Sequence, residues 1–150
     1  MRAVIQRIKT SSVEIGGIQK SSVNEGLLIL LGITDGDTSQ DIEWLAGKII
    51  RMRIFSDEAG LMNLSVMDTG GEILVVSQFT LHASTRKGNR PSFIKAAHPD
   101  LAIPLYNEFL DKISTELGKP VQSGEFGAYM EVKLINDGPV TIIIDSKNRE

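Results

Sequence analysis

A short polar stretch follows the most apolar strand-like segment of the chain, and its side chains could carry acyl-transfer chemistry. It consists of Ser77, Gln78, Phe79 and Thr80, directly after the run Ile-Leu-Val-Val at residues 73–76. Polar groups at the carboxyl end of a buried strand often line active sites in α/β proteins. The Thr80 hydroxyl is therefore a candidate nucleophile or proton carrier, with nearby backbone N–H groups as an oxyanion hole. The alternative is a strand that simply becomes polar as it leaves the core.

A second stretch, Asn-Asp-Gly-Pro-Val-Thr at residues 136–141, separates two apolar β-type runs near the C-terminus. Gly138 can adopt a positive φ without steric cost, whereas Pro139 fixes its own φ and removes a backbone donor. Gly and Pro in this pattern favour an ordinary hairpin turn. The alternative is a rigid turn that holds two backbone carbonyls in a fixed direction.

The two histidines, His82 and His98, restrict the other chemistry available to the chain. A Ser-His-Asp triad needs one of them beside an oriented carboxylate, and no spacing indicates that arrangement. The chain has no cysteine, and no His-x-x-x-His or Asp-x-Asp spacing occurs, so we expect no metal site. The paired glycines at residues 16–17 and 70–71 match neither a P-loop nor a dinucleotide fingerprint. We therefore expect no cofactor.

The charge pattern argues against a general polyanion binder, because the formal net charge is −3. A nucleic acid would have to be bound locally. The best candidates are Arg86, Lys87 and Arg90, three cations within five residues. A solvated loop explains this cluster as well as contact with phosphates does.

The length and composition suit one soluble domain with a sizeable core. The chain has 150 residues, of which 41% are hydrophobic and 23% charged. The absence of cysteine argues against a secreted disulfide scaffold. The opening seven residues break off too soon for a secretion signal, and the longest apolar run, residues 27–31, is too short to cross a bilayer. We expect a cytoplasmic protein without a membrane partner.

Hydrophobic periodicity predicts two helices among many strands. One helix is expected at residues 38–52 with Thr38 or Ser39 as its N-cap, and another at residues 100–117 capped by Asp100. Strands are predicted at residues 2–9, 12–15, 18–23, 25–33, 53–55, 72–79, 121–125, 130–136 and 140–145.

The order of these elements predicts an α/β fold in a single compact domain spanning residues 1–150. We expect mixed and antiparallel β-sheets in a barrel-like, three-layer arrangement, with the two main helices packed on one side. No linker rich in Pro and Gly divides the chain.

These segments occur in an order that resembles the D-aminoacyl-tRNA deacylase family. The resemblance spans nearly the whole chain, and the two motifs at residues 77–80 and 136–141 are highly specific in combination. One departure is Tyr129, where a small polar or acidic residue is more usual in the family. The matching segments are residues 1–7 (Met-Arg-Ala-Val-Ile-Gln-Arg), 77–80, 88–93 (Gly-Asn-Arg-Pro-Ser-Phe), 126–128 (Phe-Gly-Ala) and 136–141.

The resemblance implies a homodimer that hydrolyses the ester between a D-amino acid and the terminal ribose of tRNA. It implies a cis bond between Gly138 and Pro139, whose carbonyls would enter the partner's pocket, bind the α-amino group and leave no room for an L side chain. By the same resemblance Arg7 would hold this motif in place, whereas the residue pattern alone favours a surface position on a strand for Arg7. Glycine carried by tRNA is expected to escape the filter, and DNA is not an expected partner.

Two chemical mechanisms remain open for the hydrolytic step. Thr80 could form an acyl-enzyme, or the ribose 2′-hydroxyl could help to activate water while backbone N–H groups near Phe79 and Thr80 stabilise the oxyanion. We favour the second, because no general base is evident beside Thr80. Phe79, Phe126 and Met130 are expected to wall an adenosine slot, and the cluster at residues 86–90 is expected to contact tRNA phosphates.

Two other functions fit the same residues. The first is a general esterase or peptidase that uses Thr80 or Ser77 together with His82. The second is a non-catalytic dimeric module that binds RNA.

Overall fold

Eight strands, two α-helices and one 3₁₀ helix succeed one another along residues 1–149, the part of the chain that the computed structural model describes. The elements are β1 (Arg2–Ile15), β2 (Ile18–Val23), β3 (Gly26–Gly32), α1 (Ser39–Ile50), β4 (Phe55–Ser56), β5 (Met62–Leu64), β6 (Glu72–Ser77), the 3₁₀ helix (Phe79–His82), α2 (Pro99–Leu117), β7 (Gln122–Ser123) and β8 (Glu131–Asp145).

Six of the strands form one mixed sheet. Its order is β2-β1-β3-β6-β7, and β8 pairs with the other edge of β1. The pairs that involve β1 are antiparallel, whereas β3 with β6 and β6 with β7 are parallel. Because β2 returns close to β6 and β7, the sheet is nearly closed. The expected fold class, an α/β domain with a barrel-like mixed sheet and two helices, is confirmed.

The main core lies between the sheet and the two helices, which pack against each other. Strand β3 is buried on both faces, as its continuous apolar sequence predicts. Leu45 and Ile49 of α1 and Phe109 of α2 are fully buried in this core. Burying side chains of this size stabilises the fold by about 1.5–3 kcal/mol each.

The start of α1 is tied to both ends of the described chain by a buried polar network. The Met1 amino group lies 2.5 Å from Asp37 Oδ1 and donates to Ser146 Oγ at 2.9 Å. Ser146 Oγ in turn donates to Asp41 Oδ1 at 2.8 Å, and Lys147 Nζ lies 2.7 Å from Asp41 Oδ2. Asp41 therefore holds the C-terminal segment against the first turn of α1.

Two pairs of predicted strands are in fact single long strands. β1 runs without a break from Arg2 to Ile15, and β8 runs from Glu131 to Asp145. The ordinary hairpin turn favoured for residues 136–141 is wrong, because the segments on both sides of it pair with β1 instead of with each other. A long partner strand can support both halves, and this tertiary pairing overrides the local turn signal of Gly and Pro.

Smaller differences concern the ends of elements. The strand predicted at residues 72–79 ends at Ser77, where the chain turns into the 3₁₀ helix. Helix α2 begins at Pro99 with His98 as its N-cap instead of Asp100, since Pro is favoured in the first helical position. Thr38 is the N-cap of α1, as expected. Within residues 1–149 no helix is long and apolar enough to span a membrane.

Candidate functional site

A cavity of about 260 Å³ opens at the carboxyl end of β6. One wall comes from the end of that strand and the other from the segment between β7 and β8. Five residues that the sequence singled out line it together: Ser77, Gln78, Phe79, Phe126 and Met130.

The inner wall of the cavity is fixed by packing. The ring of Phe126 meets Tyr106 edge-on, with ring centroids 5.8 Å apart. The buried Tyr106 hydroxyl donates to Val75 O at 2.9 Å, and burial raises the pKa of this phenol. A Cβ added at Gly124 would come within 2.5 Å of Met130 Sδ, so this glycine lets the thioether lie against the backbone. The wall is therefore preformed and apolar.

The rim of the cavity exposes aromatic rings. Phe79 is 55% exposed, and its ring packs edge-on against Phe93 with centroids 5.1 Å apart. Tyr129 is 87% exposed at the opposite rim. Such rings offer stacking surfaces to a planar ligand.

Thr80 stands apart from the cavity lining, although the sequence grouped it with Ser77 and Gln78. Its hydroxyl accepts a hydrogen bond from Gln78 Nε2. The backbone N–H groups of Phe79 and Thr80, at the start of the 3₁₀ helix, meet no acceptor within residues 1–149. No histidine or carboxylate within those residues hydrogen-bonds to the Thr80 hydroxyl, so the site offers unused backbone donors and no base for a nucleophilic threonine.

His82 is buried, and its environment does not fit a general base. Burial lowers the pKa of the imidazole, which favours the neutral form. Its Nε2 atom has no hydrogen-bond partner within the described residues. Neither Ser77 nor Thr80 is paired with it. The Ser/Thr–His arrangement of a general esterase is thus not formed.

Residues 136–141 form an extruded bulge in β8. Opposite the step from Gln6 to Ile8 in β1, strand β8 runs from Thr141 to Asn136. The Asn136 side chain closes this bulge: its Oδ1 accepts from the Val140 N–H at 3.0 Å, and its Nδ2 donates to Thr141 Oγ1 at 2.9 Å.

The tip of the bulge consists of Gly138 and Pro139, which are both exposed and joined by a cis peptide bond. Gly138 has φ +130°, and a Cβ there would lie 2.8 Å from Val140 Cγ2 and 3.1 Å from Arg7 Nη2. Only glycine fits this position without displacing its neighbours. Neither tip residue lines the cavity of its own chain.

Arg7 braces the bulge from β1. Its Nε donates to Asp137 O at 3.1 Å and lies 3.2 Å from Asp137 Oδ2, while Nη1 donates to Ile54 O at 2.6 Å. The residue is only 9% exposed, so the surface position that the residue pattern favours for Arg7 is wrong. The guanidinium therefore joins the bulge to the segment that precedes β4.

The cationic cluster lies on the long loop between the 3₁₀ helix and α2. Backbone hydrogen bonds between Ser84 and Ser92, at 2.8 and 2.9 Å, close the loop at its base. Arg86, Lys87 and Arg90 are exposed and form no ion pair within residues 1–149. In the same part of the chain, no group of three or more His, Cys, Asp or Glu side chains could hold a metal ion.

Comparison with known proteins identifies the family. A model of the family described as D-Tyr-tRNA(Tyr) deacylase matches residues 4–145. The D-aminoacyl-tRNA deacylases of Parabacteroides distasonis and Flavobacterium johnsoniae are 62% and 60% identical to the chain, over the full length of both sequences in each case. The chain belongs to the D-aminoacyl-tRNA deacylase family. It is accordingly an enzyme, a hydrolase that acts on aminoacyl-tRNA.

Two solved structures share the fold of this deacylase. A protein described as c-Myc DNA Unwinding Element Binding Protein is 44% identical, with a TM-score of 0.90 over 97% of this chain and 98% of the other. A probable eukaryotic D-amino acid tRNA deacylase is 19% identical, with a TM-score of 0.81 over 95% and 97% of the two chains. The second likeness concerns the fold alone.

The site of this deacylase also contains four residues whose roles the sequence did not indicate. Asn136 and Asp137 lie inside the motif at residues 136–141. Their amide and carboxylate, next to Gly138 and Pro139, could have indicated that they brace the turn. The sequence could not indicate Tyr106 or Ile54. Tyr106 resembles any other aromatic residue of the core, and Ile54 contributes a backbone carbonyl, which every residue has.

Proposed function

We propose that this enzyme hydrolyses D-aminoacyl esters of tRNA and rejects L-aminoacyl esters by means of the exposed Gly138–Pro139 tip of a second copy of the chain. The observation that carries the proposal is the position of the tip. It is exposed, braced by Arg7 and Asn136, and outside the cavity of its own chain. A rigid projection that does not reach the cavity of its own chain can enter the cavity of a second copy.

A main-chain wall is well suited to discriminate between mirror-image substrates. The two enantiomers differ only in the direction of the substituents at one carbon, so a pocket that attracts the side chain separates them poorly. A wall that clashes with one of them rejects it strongly. The carbonyls of Gly138 and Pro139 are positioned by the backbone, so no side-chain rotation can relieve the clash. Glycyl-tRNA lacks a side chain and is expected to be hydrolysed as well.

A homodimer follows from the same arrangement. The rim of the cavity leaves Phe79 and Tyr129 exposed, and Ile135, just before the bulge, is 57% exposed. Large apolar side chains around a cavity and a projection support an interface between copies. In a symmetric dimer the bulge of each copy enters the cavity of the other, so both sites are completed together.

The chemical step relies on the substrate's own 2′-hydroxyl. The Thr80 hydroxyl has no base beside it, and His82 is buried away from it. The free N–H groups of Phe79 and Thr80 stabilise the negative charge that develops on the carbonyl oxygen of the ester. The adjacent 2′-hydroxyl helps to activate a water molecule, whose oxygen attacks the carbonyl carbon of the ester. The bond from that carbon to the ribose oxygen then breaks, the ribose leaves as a hydroxyl with the proton from the water, and the free amino acid is released. Holding the labile ester in one orientation supplies the rest of the rate enhancement.

The cavity takes the terminal adenosine, and the long loop takes the phosphates. Phe126 and Met130 supply the apolar wall for the base, whereas Arg86, Lys87 and Arg90 face the acceptor stem. Because aminoacyl-tRNA is the substrate, we place the activity in the cytoplasm.

A paired hydrolysis assay tests the proposal. D-tyrosyl-tRNA and L-tyrosyl-tRNA are incubated with the wild-type chain, with Gly138→Ala and with Gly60→Ala. The control residue Gly60 also has a positive φ, +79°, but has nothing within 4 Å of an added Cβ. We expect the wild type and the control to prefer the D ester by at least about 100-fold, and Gly138→Ala to lose most of this preference.

Equal rates on the two esters with the wild type would contradict the proposed selectivity. Unchanged selectivity in Gly138→Ala would contradict the role of the bulge. If the wild type sediments as a monomer at the assay concentration and still has full selectivity, a second copy of the chain is not needed to supply the tip.

A further inference from the structure

An open hollow of about 940 Å³ lies beside the cavity but is not part of it. It separates α1 from the end of β8, and Thr80 borders it. None of the functions assigned above to the cavity, the bulge or the long loop uses this hollow.

The tryptophan of this chain, its only one, lines the hollow and lies among cations. The Arg149 guanidinium carbon is 4.5 Å from the centroid of the Trp44 ring, and Lys48 Nζ is 5.9 Å from it. Lys48 forms no ion pair within residues 1–149. An aromatic ring flanked by lysine and arginine combines a stacking surface with positive charge, as sites for single-stranded nucleic acids do.

The remaining charges of the hollow also favour an anion. Arg2 is its third cation, and Asp145 its one carboxylate among the described lining residues. Arg2 Nη2 lies 2.9 Å from Asp145 Oδ2, so this carboxylate is already neutralised. The lining therefore carries a net positive charge on a chain whose formal net charge is −3.

The open edge of β8 forms another side of the hollow. Within the described chain β8 pairs with β1 along one edge only. The other edge has no partner strand within the described chain, and residues 142–145 line the hollow, so unpaired backbone groups are available on this side. Such groups can bind base edges and ribose hydroxyls without reading a particular sequence.

The hollow and the cavity share a wall in the short segment at the end of β6. Ser77, Gln78 and Phe79 line the cavity, and the next two residues, Thr80 and Leu81, line the hollow. A polynucleotide whose last nucleoside occupies the cavity would therefore meet the hollow as the chain runs back past Thr80.

We propose that this hollow binds the single-stranded nucleotides that directly precede the terminal adenosine of tRNA. One base packs against Trp44, and the phosphates lie next to Lys48 and Arg149. The proposal rests on the proposed function, since it assumes that the terminal adenosine enters the neighbouring cavity.

Intrinsic fluorescence tests this directly, because Trp44 is the only tryptophan. The full-length chain is titrated with the unacylated RNA tetranucleotide ACCA, which ends in the sequence common to tRNA 3′ ends, and separately with adenosine. We expect ACCA to quench the emission of Trp44, and adenosine, which fills the cavity alone, to leave it unchanged. The affinity for ACCA should fall as salt concentration rises.

Charge variants locate the phosphates. Lys48→Gln and Arg149→Gln should each lower the slope of log affinity against log salt by about 0.7, the value for one phosphate contact on a single strand. Lys119→Gln removes the same charge outside the hollow, where Nζ donates to Gly70 O, and should leave the slope unchanged.

A kinetic comparison links the hollow to catalysis. Lys48→Gln should raise the KM for D-tyrosyl-tRNA about five-fold with kcat unchanged, and should leave hydrolysis of the D-tyrosyl ester of adenosine as in the wild type. The small ester enters the cavity but does not reach Lys48. If neither ester is hydrolysed by the wild type, the proposed function fails, whereas the titration with unacylated RNA still decides whether the hollow binds RNA.

Three results would overturn the proposal. The first is unaltered Trp44 emission at ACCA concentrations that inhibit hydrolysis. The second is an equal loss of activity on both esters in Lys48→Gln. The third is emission that changes with protein concentration in the absence of RNA, which would assign the hollow to a second copy of the chain.

Discussion

Arg7 Nε lies 3.1 Å from the carbonyl oxygen of Asp137, and this contact joins the first strand to the residue that precedes Gly138. The same guanidinium donates to Ile54 O at 2.6 Å. One planar group thus holds two carbonyls on separate segments, so the direction of the bulge depends on a residue 130 positions away in the sequence. The Gly138–Pro139 tip can reject L-aminoacyl esters by a steric clash only if its position is fixed.

Replacing Arg7 by lysine should loosen the bulge. A lysine ammonium lacks the rigid fork that reaches both carbonyls, so one buried acceptor loses its partner. We expect the free energy of unfolding to fall by about 1–3 kcal/mol and the preference for D over L esters to fall at least about ten-fold. Denaturant unfolding and the paired hydrolysis assay measure the two effects.

The control for this variant is Arg51→Lys, because Arg51 pairs with Glu116 at 3.0 Å on the surface. It should leave both quantities nearly unchanged. If Arg7→Lys and the control behaved alike, the bracing role of Arg7 would be wrong.

Thr80→Ala should keep kcat within about ten-fold of the wild type, because the hydroxyl has no base beside it and lies outside the cavity lining. By contrast, tRNA that ends in 2′-deoxyadenosine should be hydrolysed at least about 100-fold more slowly, since the activating hydroxyl is gone. Single-turnover kinetics compare the two losses. Mass spectrometry that detects an acyl group on Thr80 would reverse the interpretation.

Replacing His82 separates the deacylase from a general esterase. In the wild type the imidazole is buried with an unpartnered Nε2. We expect His82→Gln to unfold at a lower temperature, as core substitutions do, but to keep kcat on D-tyrosyl-tRNA within a few-fold when assayed well below that temperature. A loss of about 10⁴-fold in kcat in the folded variant is the result that a catalytic histidine would give.

The sequence predicts the elements that local patterns determine. The periodicity at residues 38–52 and the uninterrupted apolar run of β3 correspond to helix α1 and a doubly buried strand. The long strands could not be predicted, because the pairing of Gln6 with Thr141 and of Ile8 with Asn136 joins residues far apart in the chain. Local Gly and Pro signals contain no information about such a partner.

In the candidate site, too, local motifs could be recognised in the sequence, whereas features that depend on the tertiary structure could not. Ser77 and Phe126 could be singled out by their motifs, and the fold brings them to one cavity. Thr80 lies outside that cavity because β6 ends at Ser77. The periodicity of the sequence did not predict this strand end.

Binding of tRNA should weaken with salt, and the loop should account for part of this dependence. The Arg90 side chain is exposed and unpaired within the described chain, so it is free to meet a phosphate. We expect Arg90→Ala to reduce the slope of log affinity against log salt by about 0.9, the value for one contact on a duplex stem. Lys119→Ala is the matched control. Affinity that is independent of salt would exclude contact between the loop and phosphates.

Acid should destabilise the fold partly through Asp41. Burial alone would raise the pKa of this carboxyl, but hydrogen bonds from Lys147, Ser146 and Thr38 outweigh burial and hold it well below its ordinary value. A carboxyl whose folded pKa is depressed stabilises the fold above its unfolded pKa of about 3.9, and this contribution is lost as pH falls below that value.

The corresponding test compares Asp41→Asn with the wild type between about pH 7 and pH 2.5. At pH 7 the variant should unfold a few °C lower, because Lys147 and Ser146 lose their anionic partner. This difference should shrink below about pH 4, because the Asp41 carboxyl of the unfolded wild type then takes up a proton while the folded one stays ionised, so the two melting temperatures should approach each other in acid. Asp35→Asn, which removes an exposed carboxylate, is the control. A gap that is constant over the whole range would show that Asp41 stabilises the chain by packing and not by its charge.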